Sequence, residues 1–311
     1  MVFAIIDLGT NTFNLLIAKR LPNNTFKKIF NKKIAVKLGE GTINAGYISD
    51  VPFQRGINAL KQYQQYLLDH NVEHTYAFAT SAIRSASNGT EFVTQAKRVA
   101  GMSITIIDGN EEADLIYHGN KMAVKMSPSI SLIMDIGGGS TEFILANNET
   151  VFWKHSFLLG AARLLEKFKM SDPITHHDTT CFNLYLKQEL TPLLDAVKRF
   201  EPIELIGSSG AFDSVVDIID GKFHTGVLND NTTEYDINLH HYSIVSKMIK
   251  ESTIKERYHI KGLIDMRVDM IVISILLIDF ILKELNLTSM RVSTFSLKEG
   301  VISHKLGLSL S

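Results

Sequence analysis

Two stretches of this 311-residue chain are built to one pattern: AIIDLGTNTFNLLIA at residues 4–18 and LIMDIGGGSTEFILA at residues 132–146. Each is an apolar run ending in Asp-x-Gly, then a cluster of small polar residues, then a second apolar run. Short apolar runs bounded by turn residues read as buried strands, so each copy spells strand, tight turn, strand. The copies lie too far apart for a solenoid, whose repeats recur every 20–50 residues. The pattern therefore predicts a duplicated domain core, with each copy at the heart of its own layered unit.

The sequence around the copies supplies the layers. Ser49 is placed to cap a helix in which Ile57, Leu60, Tyr63 and Leu67 recur at helical spacing. TYAFAT and ITIID read as strands, Thr90–Ala100 as a helix ended by Gly101, and Asn110 as the cap of a helix through EEADLIYHGNKMAV. After the second copy, HSFLLGAARLLEKF and IELIGSSGAFDSVVDII each read strand, glycine turn, helix, and a helix runs on to Arg199. The last third reads as helical. Strands alternating with helices predict an α/β fold. MSPS at residues 126–129 marks the boundary, which divides the chain into units 1–125 and 126–311, with a C-terminal helix at about 298–311 packing back on the first unit.

Composition excludes several functions. Lys plus Arg number 32 and Asp plus Glu 33, so no global charge draws the chain to nucleic acid or to an anionic membrane. The greasiest stretch, IVISILLIDFIL at 271–282, is too short to span a bilayer and contains Asp279. One cysteine, Cys181, permits neither an internal disulfide nor a cysteine zinc site, and it is expected in the core. With no targeting segment in view, a cytoplasmic location is expected. The adjacent pairs His176–His177 and His240–His241 point in different directions in regular structure and are not expected to hold metal. Phe152 and Trp153 are expected to pack. The lysines at 27, 28, 32, 33 and 37 read as a solvated hairpin face.

The two turns carry the chemistry. Glycine lets the backbone approach a ligand closely, and successive N–H groups in such turns make anion-binding concavities. Gly9, Thr10, Asn11 and Thr12 in one turn, and Gly137, Gly138, Gly139, Ser140 and Thr141 in the other, are candidates to bind phosphate. Asp7 and Asp135, at the strand ends, are hard oxygen ligands suited to Mg²⁺. Facing each other, the turns would grip a phosphate chain from both sides. Neither is a P-loop, for DIGGGSTE lacks the lysine and opens toward a strand; the dinucleotide-binding glycine motif fails on the same ground. Glu142, beside the second turn, could orient water or bind Mg²⁺.

These motifs resemble the exopolyphosphatase and guanosine pentaphosphate phosphohydrolase family of the actin, Hsp70 and sugar-kinase superfamily. The resemblance runs through VKLGEG, ATSAIR, IIDGNEEADLIY, LLGAARLLEKF, GSSGAFDSV, GLIDMRVDMI and VSTFSLKEGVI as well as the two turns, and the chain matches the short, two-domain form. It implies two duplicated ribonuclease H-like (actin-like ATPase) domains with the active site in the cleft between them. It implies Mg²⁺-dependent release of terminal phosphate from inorganic polyphosphate, or action on a guanosine polyphosphate, by a homodimer. Glu112, the second glutamate of NEEA, matches the family's catalytic base. Arg84 and Arg163 would supply bidentate phosphate contacts, and Arg267 and the turn at Ser208, Ser209 and Gly210 would hold the distal chain or a nucleotide. Ser293 and Lys298 are further candidates. Asn14 and Asp114 stand where relatives carry basic residues, which favours polyphosphate over the guanosine substrate. The competing functions are a sugar-kinase-like phosphotransferase, which would need an adenosine pocket, and a non-catalytic alarmone or polyphosphate sensor, which would need neither Glu112 nor Glu142.

Overall fold

The computed structural model describes residues 1–228 and 232–310. It contains two six-stranded sheets. The first is built from β1 (Val2–Leu8), β2 (Thr12–Arg20), β3 (Thr25–Ala35), β4 (His74–Ala79), β5 (Ile104–Ile106) and, from the far end of the chain, β12 (Ser309–Leu310). The second contains β6 (Ser131–Ile136), β7 (Thr141–Ala146), β8 (Val151–Phe157), β9 (Leu205–Ser208), β10 (Glu234–Asp236) and β11 (Met290–Ser293). Their orders are β12-β3-β2-β1-β4-β5 and β10-β11-β9-β6-β7-β8. Read outward from β1 and from β6, the two sheets share one plan, the duplicated ribonuclease H-like arrangement. An antiparallel three-stranded meander lies on one side and parallel strands reached through helical crossovers lie on the other, with β10 added antiparallel at the edge of the second sheet and β12 parallel at the edge of the first.

The register repeats as well. Asp7 pairs with Asn14 across β1 and β2, and Asp135 pairs with Glu142 across β6 and β7. Continuous apolar runs make these strands central. Every residue of β6 and β7 is buried, as expected of strands covered on both faces. Each Ile or Leu buried there contributes roughly 1.5–3 kcal/mol relative to exposure.

The helix Gly109–Ala123 joins the two halves. Its Leu115 and Ile116 share one apolar cluster with Phe3 and Ile5 of the first sheet and Ile133 and Ile206 of the second. The C-terminal segment lies in the same cluster through Val301 and Ile302, and β12 then pairs with β3. That segment is helical from Leu297 to Lys305 and then becomes a strand, so the helix expected over 298–311 stops short. The start of the joining helix is therefore held at the seam between the halves.

Local departures from expectation have physical causes. Asp108, not Asn110, caps the joining helix, accepting from the N–H groups of Asn110 and Glu111 at 2.8 and 2.9 Å. Cys181 is exposed, since Phe182 and Leu186 turn the buried face of the helix His176–Glu189 away from it. The run to Arg199 is two helices, the second starting at Thr191 with Pro192 in its first turn. The last third carries three strands as well as helices. The β3 lysines are exposed as expected, yet Lys28 and Lys33, with Lys37 just beyond the strand, pair with Glu299, Asp213 and Asp269 of the second half. No helix among the described residues is long and apolar enough to cross a membrane.

Candidate active site

The two Asp-x-Gly turns have the same hydrogen-bonded shape. Gly9 N–H donates to the Thr12 carbonyl at 3.2 Å, and Gly137 N–H donates to the Ser140 carbonyl at 3.0 Å. In both, the turn's carbonyls are taken from behind. Val36 and Lys37 donate to the Asn11 carbonyl and Leu38 to that of Thr10; Ala161 and Ala162 donate to the carbonyls of Gly137 and Gly138. The N–H groups of Thr10, Asn11, Gly138 and Gly139 find no acceptor among the described residues. Unpaired amides concentrated on one cleft suit an anion.

The turns face each other closely. A Cβ on Gly138 would collide with the Asn11 side chain, and one on Gly139 with Thr10 and Ser81. They form the walls of a cleft of about 210 Å³. A bound water needs roughly 10–15 Å³ on a comparable measure, so the cleft has room for several phosphates. Sequence reading did not single out Ser81. Its hydroxyl is buried, lines the cleft and has no hydrogen-bond partner among the described residues. The burial that makes it a candidate donor exists only after β4 and the second turn come together.

The acids that line the cleft include Asp7, Glu112, Asp135 and Glu142. Each is anchored by a polar neighbour. Asn14 Nδ2 donates to Asp7 at 3.1 Å, Arg84 Nη1 to Glu112 at 2.7 Å, Ser296 Oγ to Asp135 at 2.6 Å, and Ser156 Oγ to Glu142 at 2.6 Å. The proton affinity of all four is raised from its ordinary value. Burial pushes Asp7 up to about 6 against the opposing charge of Lys298. Burial, then the charge of Asp135, pushes Glu142 up to about 7. Burial and the neighbouring Glu142 raise Glu112 well above its usual value, with Arg84 opposing. Burial raises Asp135 against the hydroxyls of Ser296, Ser208 and Ser209. Negative charge is in surplus here, and a bound cation would relieve it.

The donor set fits Mg²⁺ in its usual manner. Its side-chain oxygens are hard ligands, yet among the described residues no three His, Cys, Asp or Glu side chains converge into a cage. Mg²⁺ keeps several waters and binds through one or two carboxylates plus substrate phosphates. Asp135, Asp7 and Glu142 are the residues that would hold it. The paired histidines stay apart from the site: His177 lies against Cys181, and His241 stacks on Phe223. Trp153 packs against the second core, and Phe152 against Phe200.

Most of the other candidates line the cleft, including Thr12, Ser209, Arg267 and Lys298. Four do not. Thr141 spends its hydroxyl on the Leu159 carbonyl at 2.9 Å, and Ser293 spends its own on that of Phe295 at 2.8 Å. Arg84 is committed to Glu112 and to the Ile107 carbonyl at 3.0 Å, so it orients the glutamate. Arg163 donates to the carbonyls of Gly139 at 3.0 Å and Ile43 at 2.9 Å. It ties the second turn to the glycine-rich loop of the first half, and its guanidinium is not presented to the cleft.

The sequence model of the Ppx/GppA phosphatase family matches residues 16–308. The crystal structure of an exopolyphosphatase from Cytophaga hutchinsonii superposes with a TM-score of 0.95 at 37% identity, over 99% of each chain. An Aquifex aeolicus member of the Ppx/GppA family shares the fold, with a TM-score of 0.79 at 23% identity over 99% of this chain and 98% of that one. A Haemophilus influenzae protein whose name assigns it provisionally as an exopolyphosphatase is 28% identical over 302 residues, 96% of this chain and 90% of its own length.

Proposed function

Because this chain belongs to the Ppx/GppA phosphatase family, we propose that it is an exopolyphosphatase, releasing terminal phosphate from inorganic polyphosphate by hydrolysis of the phosphoanhydride bond. One observation carries the reading: two matched turns with unpaired amides face each other across a cleft that also holds the buried Glu112 and Glu142. Phosphoryl transfer needs positioning and charge stabilisation more than covalent chemistry, and such turns supply both.

In this reading the amides of Thr10, Asn11, Gly138 and Gly139 bind the phosphoryl oxygens, and the Ser81 hydroxyl adds a donor. Glu112, held by Arg84, takes a proton from a water in line with the scissile bond. The water oxygen bonds to the terminal phosphorus, the bridging P–O bond breaks, and the chain leaves one unit shorter. Mg²⁺, when bound, would neutralise charge on the phosphate oxygens. Burial, then the charge of Glu142, raises the proton affinity of Glu112, the direction that favours a general base.

The test is phosphate release from long-chain polyphosphate with Mg²⁺ by the native protein and by Glu112→Gln. Turnover reduced roughly 100-fold or more in the variant is expected for loss of a general base. Equal turnover by both would remove Glu112 from that role. Binding of polyphosphate without turnover by the native protein would replace the hydrolase with a sensor.

A further inference from the structure

Asp213 lies in the first turn of the helix Gly210–Phe223 and faces the cleft. Its Oδ2 is 3.7 Å from Lys33 Nζ and 3.9 Å from Arg267 Nη2. Lys33 belongs to β3 of the first half and Arg267 to the turn Asp265–Arg267 of the second, so one carboxylate oxygen bridges the cleft. Neither contact is within hydrogen-bond range. By contrast, Arg84 and Glu112 meet at 2.7 Å and Arg291 and Glu204 at 2.6 Å. Asp213 is centred among cations without being locked to any of them.

A third cation completes the group. Lys298 lines the same cleft, makes no hydrogen bond or ion pair with any described residue, and lies in the field of Asp213. Lys33 in turn feels the like charges of Lys298 and Arg267. The cluster is built into the fold. A side chain at Gly210 would overlap the Arg267 guanidinium, so the glycine of the SSG turn is what lets that arginine lie there. Burial works against the charged forms of Lys33 and Arg267, and Asp213 is the foremost charge compensating both. Asp217, one helical turn on, adds a lesser field and does not line the cleft. Lys298 is further balanced by Glu299, Asp7 and Asp135. Asp213 acts on Asp135 but is not among the principal charges acting on Glu112 or Glu142, which sets it apart from the proposed base.

We propose that Asp213 is a specificity-determining residue, the resident counter-anion of a Lys33–Arg267–Lys298 subsite, which a phosphate unit of the substrate chain away from the scissile bond displaces. This rests on the reading of the cleft as a phosphate-chain site. A fixed negative charge at that point opposes each phosphate that enters, so the native protein binds the chain more weakly than its cations allow.

Asp213→Asn keeps the size and removes the charge at a partly exposed position, so folding is not at stake; Asp213→Glu keeps the charge. Binding of inorganic tripolyphosphate is measured by calorimetry with all three proteins in a Glu112→Gln background, and KM and kcat for polyphosphate are measured in the unmutated background. Asp213→Asn is expected to bind tripolyphosphate roughly 3- to 30-fold more tightly, the scale of one like charge removed at a partly solvated site. Its KM falls by a larger factor than its kcat changes, and Asp213→Glu stays with the native affinity. Unchanged or weaker tripolyphosphate binding by Asp213→Asn overturns the proposal, whatever the hydrolysis assay shows. Tighter binding in a protein that hydrolyses no polyphosphate upholds the subsite and refutes the hydrolase reading instead.

Discussion

Replacing Glu142 by glutamine is expected to make the protein more stable in alkaline buffer while impairing its chemistry. Glu142 is 1% exposed, pairs across the strands with Asp135, and accepts from Ser156 Oγ at 2.6 Å. Burial, then Asp135, moves its pKa from the model-compound 4.5 to about 7. The folded state therefore holds this proton more tightly than the unfolded chain does. The stability it contributes is fully present below about pH 4.5 and is lost as pH rises through about 7. The displacement of about 2.5 units, at about 1.36 kcal/mol per unit, amounts to roughly 3 kcal/mol at about pH 8. Glutamine carries no charge to desolvate and keeps an oxygen to accept from Ser156. Urea unfolding in chelator-containing buffer should place Glu142→Gln about 3 kcal/mol above the native protein near pH 8, with little gain near pH 5. Added Mg²⁺ should close part of that gap by stabilising the native protein. Equal stability at pH 8, or the same gain at both pH values, would refute the account of Glu142 as a charge held at a cost for function.

Two further substitutions test the arrangement around the turns. Arg84→Met removes the cation that opposes the raised pKa of Glu112, so the acid limb of the kcat/KM–pH profile should move upward by about a unit or more; an unmoved limb would separate Arg84 from the base. Arg163→Lys cannot make both the Gly139 and Ile43 carbonyl bonds, and a loss of about 1–2 kcal/mol in urea unfolding is expected, with a raised KM as the second turn loosens; native stability and KM together would show that the tie is idle.

How much of this was legible before folding depended on the range of the interaction. The two Asp-x-Gly turns are local, and a strand–turn–strand sequence carries its own register. The pairing of Asp135 with Glu142, seven residues on, was therefore within reach of the sequence. The alternation of strands and helices set the two-sheet plan for the same reason. The cap of the joining helix was misplaced by two residues because Asp108 and Asn110 are both competent caps, and only the backbone geometry chooses between them. Cys181 went astray because the helix that carries it has too weak an apolar stripe to show which face is buried. The arginines failed for another reason. Arg84 and Arg163 sit in motifs beside the phosphate turns, but long side chains go where acceptors remain unsatisfied. Here those acceptors are Glu112 and the backbone carbonyls of Ile107, Gly139 and Ile43. The pairing of Lys28, Lys33 and Lys37 was not legible because their partners, Glu299, Asp213 and Asp269, lie more than 150 residues away in sequence.

The duplication also explains why the two jaws need not do the same work. Both turns have the same closing hydrogen bond and the same unpaired amides, so both are equipped to bind phosphate. They differ at the matched position across the hairpin. Asn14 is neutral and steadies Asp7, whereas Glu142 is an acid that repels Asp135 and raises the proton affinity of Glu112. Two copies of one binding turn provide a grip, but a grip alone gives no reason to bury three mutually repelling carboxylates beside a single arginine. Placing Glu142 where the first copy has an amide concentrates unfavourable charge on one jaw, at the start of the helix that joins the halves. A metal ion and a water to be deprotonated would relieve it. On this view the first jaw positions the chain, the second activates the chemistry, and Asp213 at the far wall sets how tightly the remainder of the chain is held.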